Sequence, residues 1–80
     1  MSYNGWENRE TWNASLWLNN EESLHWKAYA IANADGYCMM AKVEELADFC
    51  ALVWPRGKTP DGDDLDAVVW EDVINGLMEE

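Results

Sequence analysis

The stretch CMMAKVEELADFCALVW, residues 38–54, decides the fold class. Its apolar residues recur at helical spacing, and the acids Glu44, Glu45 and Asp48 fall on the opposite side of the helix. The apolar face has these members: Met39, Val43, Leu46, Ala47, Cys50, Val53 and Trp54. Pro55 ends the pattern, because a residue that precedes proline is pushed out of the helical region. The stretch therefore predicts an amphipathic helix from about residue 38 to residue 54.

Two helices are predicted before this stretch. Asn8 can cap a first helix that runs to about residue 19 and is apolar around much of its girth. Asn20 can cap a second helix, over about residues 21–34, in which Leu24, Ala28 and Ile31 form a core stripe. We therefore expect the first helix to lie against several neighbours or at an interface, and the second to turn its stripe into the core.

A last helix is predicted over about residues 63–78, with Asp63 or Asp64 as its cap. Val68 to Trp70 could form a short strand, but the residues around them carry the helical period. No segment alternates with period two over a useful length. The chain of 80 residues is therefore expected to form one all-α domain over residues 1–80, a compact bundle of about four short helices.

The net charge is −11, from sixteen acids against five bases. Residues 61–80 hold eight of the acids and no Lys or Arg. Such a field repels nucleic acid and lipid headgroups and attracts basic protein surfaces. The alternative is that the acids serve solubility alone.

The chain also lacks the features of secretion and of common catalysts. Its first residues have no basic and apolar signal-peptide pattern, and Cys38 and Cys50 are expected to be buried free thiols, so a cytoplasmic protein of a bacterial cell is predicted. His25 is the single histidine, which leaves no nucleophile–base set and no usual metal set. The loop that starts at Asp61 fails the calcium-loop pattern, because Asp66 stands where glycine is required. We therefore predict a protein without enzymatic activity, metal or cofactor.

What remains is a binding surface. The first candidate is a set of acids that could occupy a basic nucleic-acid channel, and the members of this set are Asp61, Asp63, Asp64, Asp66, Glu71 and Asp72. The second is the aromatic ridge of Trp26 and Tyr29, because exposed aromatic residues are typical interface anchors. The alternative for this ridge is that both rings pack on the N-terminal arm through Trp6.

The opening of the chain resembles a known family. Residues 4–21, NGWENRETWNASLWLNNE, are similar to the NGW-x-N-x-ETWN-x-x-LWL-x-N opening of small proteins from phages, plasmids and other mobile elements. Residues 68–73, VVWEDV, resemble a V-x-W-x-E-I segment near the end of those proteins, with Asp72 and Val73 as departures. The resemblance implies a mobile-element setting, in which small acidic proteins are similar to anti-CRISPR and anti-restriction inhibitors.

Two functions are weighed on these grounds. The first is a non-enzymatic inhibitor that binds a basic surface of a CRISPR effector or restriction complex, with no direct contact to nucleic acid or membrane. The second is a small phage or plasmid regulatory or structural adaptor, for which a homodimer is left open. A salt-sensitive interaction through the acids would favour the inhibitor. A salt-insensitive interaction through the Trp-rich first helix would favour the adaptor.

Overall fold

The computed structural model describes residues 5–78 of the chain. Within these residues lie four α-helices and one short 3₁₀ turn, and no β-strand is formed. The helices are α1 (Arg9–Asn20), α2 (Glu22–Ala32), α3 (Met39–Val53) and α4 (Trp70–Leu77), and the 3₁₀ turn spans Leu65–Ala67. Helix α1 packs against α2, α4 and the 3₁₀ turn, and α4 also packs against α2 and α3. The predicted all-α bundle is confirmed.

Helix α3 follows its sequence pattern closely. It begins one residue after Cys38 and ends one residue before Trp54. Leu46 and Cys50 are fully buried, and Trp54 is 9% exposed. Helix α2 likewise turns Ala28 inward. The core that these helices build has the following buried members: Ala14, Leu18, Ala28, Ala32, Leu46, Cys50, Trp54, Leu65, Val68, Val73, Ile74 and Leu77.

The junction of α1 and α2 differs from the prediction. Asn8 caps α1 as expected, since its side chain accepts a hydrogen bond from the Thr11 N–H at 2.9 Å. Asn20, however, is the last residue of α1 and does not cap α2. The N–H of Glu21 donates to the Trp17 carbonyl at 3.1 Å, so the helical hydrogen bonding continues past Asn20. Glu21 is therefore the single residue between α1 and α2.

The prediction of one continuous last helix is wrong. After the 3₁₀ turn the chain is extended at Val68 and Val69, and α4 begins only at Trp70. Two backbone groups that would form helical hydrogen bonds in a continuous helix are bound instead by side chains at the start of α1, namely its cap Asn8 and Thr11. Asn8 Nδ2 donates to the Ala67 carbonyl at 2.9 Å, and the Val69 N–H donates to Thr11 Oγ1 at 2.8 Å. These long-range bonds hold the segment extended, because they compete with helical bonding of the same groups.

The two cysteines have different environments. Cys50 is buried, and burial raises the pKa of its thiol to about 12, so the thiol stays protonated. Cys38 is exposed, which corrects the expectation that both thiols are buried. Cys38 lies just before α3, outside the helix whose apolar face enters the core.

Candidate acidic interaction surface

The loop that carries the first acids is ordered by its own backbone. Lys58 and Asp64 form an isolated antiparallel bridge. Between them, the Thr59 N–H donates to the Asp63 carbonyl at 2.8 Å, and Thr59 Oγ1 accepts from the Asp63 N–H at 3.1 Å. Gly62 has a φ of 92°, a conformation that L side chains rarely adopt, and so makes the tight reversal. The loop therefore presents its carboxylates from a fixed backbone.

Helix α1 fixes this loop further through one ridge of side chains. Arg9, Asn13 and Trp17 lie four residues apart and therefore share a side of the helix. Asn13 Nδ2 and Trp17 Nε1 both donate to Asp61 Oδ2, at 2.8 and 3.1 Å. Arg9 Nε pairs with Asp63 Oδ2 at 3.2 Å, and the Asp63 side chain is 13% exposed. Two of the predicted partner-binding acids are thus bound within the chain.

The other predicted acids point to solvent to different degrees. Asp64, Asp66 and Glu71 are exposed, and Asp72 is half-buried. Asp64 caps the 3₁₀ turn by accepting from the Asp66 N–H at 3.3 Å, while Glu71 and Asp72 stand in the first turn of α4. Carboxylates are favoured there by the positive end of the helix. Asp61 is exposed as well, but its carboxylate is bound by α1. We name the other three exposed acids of the predicted set, Asp64, Asp66 and Glu71, the acidic surface.

The aromatic residues form a separate cluster on α2. Trp26 lies 5.2 Å from His25 and 6.0 Å from Tyr29, measured between ring centroids, with both pairs edge to face. Trp26 is 61% exposed, whereas Tyr29 is half-buried. The ring of Trp6 lies against α4, where a Cβ added to Gly76 would meet Trp6 Cη2 at 3.0 Å.

The ridge on α1 was missed by the sequence reasoning. In the sequence, two of its members are polar and one is aromatic, and an asparagine such as Asn13 is typical of a helix surface. In the structure Asn13 is only 1% exposed, and its Oδ1 has no hydrogen-bond partner. The repeat of four between Arg9, Asn13 and Trp17 was the available clue. It shows a shared side of α1 but does not show which distant segment that side contacts.

Asp61 is expected to make stability depend on acid pH. The hydrogen bonds from Asn13 and then Trp17, together with the charge of Arg9, hold the pKa of Asp61 below its ordinary value of 3.8. A lowered folded-state pKa adds stability above the ordinary value, and this stability is lost as the pH falls through the folded-state pKa. Asp61→Asn should therefore be less stable than the natural chain near neutral pH, and the difference should shrink as the pH falls below about 4.

The measurement is the urea unfolding midpoint across this pH range, followed by tryptophan fluorescence. Asp66→Asn is the matched control, because the Asp66 carboxylate is exposed and the hydrogen bond seen at this residue comes from its backbone. A stability difference for Asp61→Asn that stays constant from neutral to acid pH would contradict the assignment.

Two further findings concern metal binding and membrane insertion. Among residues 5–78, no group of three or more His, Cys, Asp or Glu side chains is placed to hold a metal ion. Each of the helices described above is too short or too polar to cross a membrane.

Comparison with known proteins gives a family but no activity. No curated protein and no solved structure matches the chain. The model of DUF7249, a family of unknown function, matches residues 1–80, and the chain belongs to that family.

Proposed function

We propose that this protein is a non-enzymatic inhibitor of a bacterial defence complex, a CRISPR effector or a restriction complex. It binds a basic surface that handles nucleic acid and blocks that surface by occupying it. The observation that carries the proposal is the acidic surface, which lies in a segment without Lys or Arg and on a backbone fixed by α1. The resemblance of residues 4–21 to mobile-element proteins supports the same setting.

Order in this segment favours tight binding. Ordering flexible groups on association costs free energy, and a surface that is already ordered avoids part of this cost. The bonds from Asn13 and Trp17 to Asp61, and from Arg9 to Asp63, lower that cost for the loop. Asp64, Asp66 and Glu71 are exposed and can meet cations of the partner, with Trp26 as an exposed aromatic anchor on α2.

Charge reversal is expected to abolish inhibition. Asp66→Lys with Glu71→Lys places two cations against a basic surface, and like charges brought together across an interface cost several kcal/mol. Affinity for the target should fall by about 100-fold or more. The natural interaction should also weaken from about 50 mM to about 500 mM NaCl, because salt screens exposed charges.

The matched control is Glu21→Lys with Asp35→Lys. It also replaces one Glu and one Asp, both exposed, and it gives the same net charge of −7, which is −11 plus four. The assay is plating of a targeted phage on bacteria that carry a defined CRISPR or restriction system, with binding of the purified complex at both salt concentrations. The natural chain and the control should restore plating, and the first double variant should not.

Equal loss of inhibition in both double variants would show that net charge and not the acidic surface matters. Failure of the natural chain to restore plating against a range of such systems would argue against the inhibitor. Salt-insensitive binding to a replication or transcription protein would then favour the adaptor.

A further inference from the structure

A groove between α2 and α3 has an apolar floor that is open to solvent. Its volume is about 770 Å³. Ile31 and Phe49 lie half-buried in it, while Tyr37 and Leu52 are 58% and 81% exposed. A leucine this exposed in the helix that builds the core is notable, because contiguous exposed apolar surface marks an interaction site in a small protein. None of the acids between Asp61 and Asp72 lines this groove.

The charges around the groove differ from those of the C-terminal segment. Lys27 and Lys42 lie in it together with Glu44, Glu45 and Asp48, which gives two positive charges against three negative ones, or −1. The chain as a whole carries −11, and its residues 61–80 hold no base. Another strongly acidic molecule therefore meets less repulsion at the groove than at the C-terminal segment.

A second copy of this chain fits both properties. In a two-fold symmetric dimer the same patch is used by both copies, so a patch that carries both signs can set its lysines against acids of the other copy. A purely basic partner would be repelled by Lys27 and Lys42. A purely acidic partner would be repelled by the three acids of the groove, Glu44, Glu45 and Asp48. We propose that the chain forms a symmetric homodimer through the α2–α3 groove, with Leu52 of each copy buried in the interface.

This dimer does not depend on the identity of the inhibited target. Because the acidic surface lies outside the groove, each dimer would carry two acidic surfaces. Its salt dependence also has the opposite sign to that of target binding. Two copies of charge −11 repel each other at long range, and salt screens this repulsion, so the dimer should tighten as salt rises.

The test is sedimentation velocity of the purified chain from micromolar to millimolar concentration, at low and high salt. We expect a species of twice the 9.2 kDa of the chain, populated more strongly at high salt. Leu52→Glu should weaken it by more than about 100-fold, because each dimer buries two copies of this leucine. Met40→Glu is the matched control, since Met40 is also on α3, is 74% exposed and does not line the groove.

Both substituted side chains are exposed in the single chain, so circular dichroism should show helix content equal to that of the natural protein. A chain that stays monomeric at every concentration and salt leaves the groove to a different occupant and overturns the proposal. The proposal also fails if the dimer survives Leu52→Glu, if Met40→Glu weakens it equally, or if it dissociates as salt rises.

Discussion

Leu46→Ala is expected to lower the free energy of unfolding by about 2–5 kcal/mol. Leu46 is fully buried at the centre of α3, where the helix faces the core. The substitution removes apolar surface from the interior and leaves a cavity that the neighbours fill only in part. A domain of 80 residues has about 4–12 kcal/mol of stability, so the loss is a large share of the whole.

Thermal unfolding followed by circular dichroism measures this effect, and the melting temperature should fall by about 10–30 °C. Met40→Ala is the control on the same helix. Because Met40 is 74% exposed, its truncation should change the stability by less than about 0.5 kcal/mol. Similar losses for the two variants would mean that α3 does not turn Leu46 toward the core.

Thr11→Val is expected to cost about 2–4 kcal/mol, although it changes neither the size nor the shape of the side chain much. Thr11 is fully buried. Its hydroxyl accepts from the Val69 N–H at 2.8 Å and donates to Asn8 Oδ1 at 2.6 Å. Valine can do neither, so an amide of the extended segment loses its partner and the cap of α1 loses a donor.

Thr11→Ser separates the hydroxyl from the methyl group. Serine keeps both hydrogen bonds and loses one methyl, which costs about 1 kcal/mol. Urea unfolding should therefore rank serine above valine in stability. Hydrogen exchange adds a local measurement, because protection of the Val69 amide should fall in the valine variant and persist in the serine variant. A valine variant as stable as the natural chain would show that the bond to Val69 carries no net stability.

The sequence predicted those parts of the fold whose causes are local. The sequence predicts helix α3 to within a residue at each end, because its apolar period lies inside the stretch 38–54 and Pro55 follows that stretch directly. The cap at Asn8 is likewise a contact over three residues. These features needed no knowledge of the rest of the chain.

The errors arose where distant segments decide the structure. The helical period of the last segment favoured one continuous helix. That helix is interrupted by the side chains of Asn8 and Thr11, which bind groups 59 and 58 residues away in sequence. The hydrogen bonds of Asp61 were not predicted for the same reason. Nothing near this residue indicated that Asn13 and Trp17 would bind its carboxylate.

The bonds between α1 and the segment around Asp61 to Val69 also bear on synthesis. Helix α1 is translated before the groups that its side chains bind, which lie 48 to 58 residues later in the chain. The α2–α3 hairpin can pair earlier, since its contacts are close in sequence. The nascent chain must therefore carry an incompletely paired α1 until residues 61–69 have emerged. A ribosome that stalls before the codon for Asp61 would hold a species that cannot close this fold.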